Sequence, residues 1–115
     1  MARPMTSIER LRRAQVVRFG RGENWPGSQC EHISQINEVT PSADGCEDCL
    51  RIGDEWVHLR LCLIDGYVGC CNDSKNRHSL RHFLATDHPM IQSYEPDEDW
   101  VWCYPDELFY EPAAG

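Results

Sequence analysis

Between residues 55 and 63 the chain reads EWVHLRLCL, and apolar and polar positions alternate. Val57, Leu59 and Leu61 face one way and Trp56, His58 and Arg60 the other, the period-two signature of a half-buried strand. GYVGC (66–70) predicts a second short strand after a turn at Asp65-Gly66. The period then changes. In NDSKNRHSLRHFLATDHP, Leu80, Phe83 and Leu84 recur at helical spacing and predict a helix over about 75–86, with Asp73 or Ser74 as cap and Pro89 barring extension. PMIQSYE reads as a strand, EPDED as a turn, and two further strands are expected near WVWCY (100–104) and ELFYE (107–111). Upstream, SIERLRRAQ (7–15) predicts a short helix capped by Ser7, and GRGENWPGSQ (20–29) is turn chemistry. Few helices among several short strands indicate a small α+β domain.

Composition narrows the class. A chain of 115 residues fits one domain with a modest core, and its 41% hydrophobic content is that of a globular protein. No apolar run approaches the roughly 18 residues of a membrane helix. The N-terminus lacks the apolar stretch of a secretory signal, so a cytoplasmic location is expected. The net charge of −8 is unevenly spread: six arginines against one acid give residues 1–21 a charge of +5, leaving −13 for the rest. Such an acidic body repels a phosphate backbone, which makes nucleic acid an unfavourable partner. The basic segment is expected to dock against that body.

Cysteine changes the picture most. Seven cysteines, an odd number, accompany five histidines in a chain without a secretion signal, a combination that favours zinc over disulfides. Cys46-Glu47-Asp48-Cys49 follows Gly45 and forms a tight thiol pair on a turn. Cys70, His78 and the neighbouring histidines are candidates to close such a site, and His78 and His82 lie four apart on one helix face. A C-x-x-C pair can also be a redox couple, but that arrangement opens a helix after a strand, whereas here the pair follows a turn and precedes LRIGDEW.

The order C-x-H, C-x-x-C, W-V, C-x-x-D, G-C, H-x-x-x-H-x-x-x-x-x-H-P and W-C-Y, over residues 30 to about 110, resembles the UBP-type zinc finger, including its free-standing bacterial members. The resemblance implies a small antiparallel sheet with helices packed on it and one to three zinc ions. It divides the chain into a basic, partly helical segment (1–29), the zinc finger (30–111) and a tail (112–115). It implies one site from Cys46, Cys49, Cys70 and His78, a second from Cys62, Asp65, His82 and His88, and a third from Cys30, His32, Cys103 and Asp106. Asp65 and Asp106 stand where the family has cysteine. A carboxylate oxygen still binds zinc, but as a harder ligand that weakens those sites. Cys71 is then a free thiol and His58 is unassigned.

In that family an aromatic pocket grips the C-terminal Gly-Gly of ubiquitin, and an arginine after the G-C motif contacts the ligand. Trp56, Trp102 and Tyr104 match the aromatic positions, while Asn72 stands at the arginine position, which argues against ubiquitin itself. Lys75, Arg77 and Arg81 are nearby substitutes for the missing cation. The sequence contains no H-E-x-x-H and no H-x-E with P-C-x-x-C, so zinc catalysis is not expected. The reading is a non-enzymatic zinc module that binds a protein or peptide partner; the alternatives are a scaffolding zinc protein without a peptide pocket and a thiol-based redox or metal-responsive protein.

Overall fold

A computed structural model describes residues 15–19 and 31–111. Six strands form one antiparallel sheet: β1 (Gln15–Phe19), β2 (Leu59–Cys62), β3 (Val68–Cys70), β4 (Met90–Ser93), β5 (Val101–Cys103) and β6 (Leu108–Glu111). Their order across the sheet is β1-β6-β5-β4-β2-β3. Among the described residues, a 3-10 turn (Glu31–Gln35) and two α-helices, α1 (Glu47–Ile52) and α2 (His78–Thr86), accompany the sheet in an α+β fold.

Register and alternation give the sheet two different faces. Val68, Leu61, Gln92, Val101 and Tyr110 stand opposite one another along one row, and Met90, Cys103 and Leu108 along the next. Apart from Gln92 these side chains are buried, and with Ile36, Leu59 and Leu63 they make the core. The other face carries the row Cys62, Ile91, Trp102 and Phe109. Helix α2 approaches it closely at Gly69, where an added Cβ would lie 2.7 Å from the backbone nitrogen of Ser79.

The main helix begins later than its apolar pattern suggests, at His78. Neither Asp73 nor Ser74 caps it: the cap residue is Arg77, in the left-handed region at φ 49°, with no side-chain cap bond. The His78 N–H instead donates to the sulfur of Cys70 at 3.2 Å, so a distant thiol sets the helix start. Ser74 is engaged elsewhere, accepting the Val57 N–H at 2.9 Å. Val57 and Leu84, read as apolar-face positions, are 54% and 68% exposed, because the strand starts only at Leu59 and Leu84 lies on the outer side of α2.

Helix α1 was not foreseen. Cys46 caps its start by accepting the Cys49 N–H, and Gly53, at φ 73°, ends it in the left-handed conformation that favours glycine. The expected N-terminal helix lies outside the described residues except for Gln15, which instead opens β1. That strand pairs with β6, so residues 15–19 belong to the same sheet as the body. Among the described residues no helix is long and apolar enough to cross a membrane.

Candidate metal centres

Among the described residues three groups of potential ligands converge, and within each the ligand atoms lie within 4.8 Å of one another. The innermost is Cys46, Cys49, Cys70 and His78, all buried. Helix α1 presents two sulfurs from its cap and first turn, β3 ends on the third, and α2 opens with the imidazole. Nδ1 of His78 is 3.2 Å from the Cys46 sulfur, 3.3 Å from that of Cys49 and 3.6 Å from that of Cys70. The Cys49 and Cys70 sulfurs are 4.0 Å apart, about twice a disulfide bond length. Bonds of about 2.3 Å to sulfur and about 2.0 Å to nitrogen place tetrahedral zinc ligands roughly 3.4–3.8 Å apart, so the four donors suit one zinc ion.

The surroundings of these sulfurs also fit metal-bound thiolates. Backbone N–H groups of Cys49 and His78 and the side-chain amide of Asn76 donate to the sulfurs of Cys46, Cys70 and Cys49 respectively. Burial pushes the Cys46 thiol up to about 12, with Cys49 and Cys70 adding to the rise and the Cys49 backbone N–H opposing it. Cys46 does therefore open a helix, contrary to the sequence reading.

The second group is Cys62, Asp65, His82 and His88, at the end of β2, its following turn, the middle of α2 and the segment before β4. One oxygen of Asp65 lies 2.9 Å from Nε2 of His82 and 3.1 Å from Nδ1 of His88, which is 3.8 Å from the Cys62 sulfur. Burial opposes ionisation of Asp65, but the Tyr67 N–H, the Cys62 thiol and the two histidines prevail and hold its carboxyl below the usual range. Burial pushes the Cys62 thiol up to about 11. The third group brings His32, Cys103 and Asp106 together at 3.0 to 3.8 Å. Cys30 lies outside the described residues.

Tyr67 joins the first two groups. Its ring stacks on His82 with centroids 4.2 Å apart, and its hydroxyl donates to Asp48, inside the Cys46–Cys49 turn. That bond, with Arg51 assisting, holds the Asp48 carboxyl below its usual range.

Beside α2, the non-core face forms a cavity of about 330 Å³ lined by Trp100, Trp102, Tyr104 and Phe109, with Arg60, Asn72 and Asp73 among its polar residues. Tyr104 stacks on Phe83 at 4.6 Å, and its hydroxyl is 3.2 Å from that of Ser79. Burial raises the Tyr104 hydroxyl pKa, although Ser79 and Arg60 oppose the shift. Cys71 also lines the cavity. Burial would raise its thiol, but Ser74, nearby backbone N–H groups and Arg60 outweigh that and lower it.

Asn72, Trp102 and Tyr104 thus meet at one cavity, whereas Trp56 does not line it. The Trp56 ring packs over Gly45, where a Cβ would lie 2.7 Å from Cζ2, and it borders a separate recess with Lys75. Sequence reasoning missed Trp100, Phe109 and Arg60. The signal for Trp100 was available, because it shares parity with Trp102; Phe109 and Arg60 required the strand order.

One buried thiol-imidazole cluster and two partly exposed groups, all on a small sheet, have the donor sets of a structural zinc-binding domain. Residues 46–113 match the family described as "Zn-finger in ubiquitin-hydrolases and other protein", and the chain belongs to that family. It is 28% identical over 93 residues to histone deacetylase 6 of Caenorhabditis elegans, covering 76% of this chain and 9% of that protein. It is 31% identical over 101 residues to ubiquitin carboxyl-terminal hydrolase 45 of Mus musculus, covering 68% and 12%. With BRAP2 RING ZnF UBP domain-containing protein 2 of Arabidopsis thaliana it shares 32% over 81 residues, 70% of this chain and 15% of that one. The chain therefore spans only a small part of the length of these relatives. The solution structure of RPA1320 from Rhodopseudomonas palustris matches with TM-score 0.70 at 53% identity, covering 75% of this chain and 84% of that one. The matched domain is a non-catalytic zinc finger, and domains of this family generally serve as protein-interaction modules.

Proposed function

We propose that this protein is a zinc-held recognition module that takes the end of a peptide chain into the cavity lined by Trp100, Trp102, Tyr104 and Phe109. The observation that supports this reading is the cavity itself. Four aromatic residues line an open cavity of about 330 Å³ on the face that the core does not use. Flat aromatic walls favour a narrow, small-residue chain segment, and polar groups at one end orient it. Zinc acts structurally: the first cluster, the second, and His32, Cys103 and Asp106 together with Cys30 would each hold one ion.

Two measurements test the two parts. Native mass spectrometry with and without chelator counts ions; three bound ions are expected, and none would overturn the zinc assignment. Titration with hexapeptides ending in Gly-Gly, followed by tryptophan fluorescence, is expected to saturate for the wild type and fail for Trp102→Ala with its zinc retained. Binding that survives in Trp102→Ala would remove the cavity as the site.

A further inference from the structure

The cavity has no cation at the position where the family resemblance places one, since Asn72 stands there. We propose that Arg60, from the inner strand β2, supplies that charge and binds the terminal carboxylate of the peptide. The inference rests on the cavity being a peptide site, as proposed above.

Position is the first argument. Of the described residues lining the cavity, Arg60 alone is cationic. It sits between the buried Leu59 and Leu61 on a strand flanked by β3 and β4, where a charged side chain is costly unless it is paired or used. Its guanidinium has no carboxylate partner among the described residues. One terminal nitrogen donates to the Leu59 carbonyl at 2.9 Å, and the group lies 4.5 Å over the ring of Trp100. A guanidinium held by one carbonyl and one aromatic face is oriented in advance, and its other N–H groups are available to a carboxylate.

The nearer cations in sequence are placed elsewhere. Lys75 pairs with Asp54 at 3.2 Å beside the Trp56 recess, and Arg81 lines a different recess with Asp48, Tyr67 and His82. Arg77 occupies the exposed start of α2. Asp73 adds selectivity: it lines the same cavity, where it repels a second acid and offers an acceptor to a peptide N–H. The ligand class is a peptide whose last residues are small and neutral and whose terminus is a free carboxylate.

The test uses the full chain loaded with zinc and one hexapeptide ending in Gly-Gly, prepared as free acid and as C-terminal amide. The wild type is expected to bind the acid roughly tenfold more tightly than the amide, the value of one charge-assisted contact. Arg60→Gln should bind both forms at the amide level, while Arg60→Lys, which keeps the charge and loses the fork, should retain part of the preference. Equal binding of acid and amide by the wild type, or an acid preference that survives in Arg60→Gln, would overturn the role of Arg60 and leave the cavity as a peptide site. Absence of binding to either form would overturn both. Zinc content and the amide NMR spectrum of each variant separate loss of contact from loss of fold.

Discussion

Gly69→Ala tests how tightly the sheet and the metal ligands are tied together. The new Cβ would lie 2.7 Å from the Ser79 nitrogen and 2.9 Å from its Cα, against at least 3.4 Å for ordinary contact. The Tyr67 ring also stands 2.8 Å away, but the nearest obstacle is helix backbone, so α2 has to retreat by about 0.7 Å or β3 has to bend. Overpacking of this kind costs about 1–3 kcal/mol. For a domain of this size that is a fall in Tm of roughly 4–12 °C. Helix α2 also carries His78 and His82, and metal-ligand distances tolerate only about 0.2 Å. The variant should therefore unfold earlier by calorimetry and release two of its zinc ions at lower chelator concentration than the wild type. An unchanged Tm with unchanged zinc retention would refute the close-approach argument.

Asp65→Cys replaces a hard oxygen with a thiolate in the second cluster. It should raise the chelator concentration needed to strip that ion on the order of tenfold, read by competition followed with native mass spectrometry; an unchanged order of ion loss would count against Asp65 as a ligand. Asp54 is held down to about 2, chiefly by the Asn76 side chain, then by the Glu55 N–H and Lys75. Because its pKa is depressed on folding, its contribution to stability is complete above 3.8 and is lost as pH falls towards 2. Carboxyl NMR titration should find its midpoint near 2, and Asn76→Ala should move that midpoint towards 3.8.

What could be read in advance divides along physical lines. Strands β2 to β6 were legible because alternation and flanking turns are local, and Leu59 and Leu61 are buried as their parity requires. Spacing alone offered Cys46 with Cys49 and His78 four residues before His82; the full ligand groups, Asp65 and Asp106 included, came from the family resemblance, and the described members of each converge. Helix α1 was not, since six residues are too few to show a period. The start of α2 was not, because it depends on a sulfur eight residues upstream. Trp56 looked like a third pocket wall, but Gly45 gives its ring somewhere else to lie. Arg60 read only as the polar half of an alternating strand, and its relation to Trp100 became visible once β4 was known to lie between β2 and β5.

The bond from the His78 N–H to the Cys70 sulfur joins two parts of the molecule that look separate. A nine-residue helix does not persist on its own, and this one is anchored at its start by a cluster sulfur and along its length by the stack of Phe83 on Tyr104. Tyr104 is at the same time a wall of the aromatic cavity. Cluster, helix and cavity wall thus share one element, because α2 starts on a cluster sulfur and packs through Phe83 on a residue that lines the cavity.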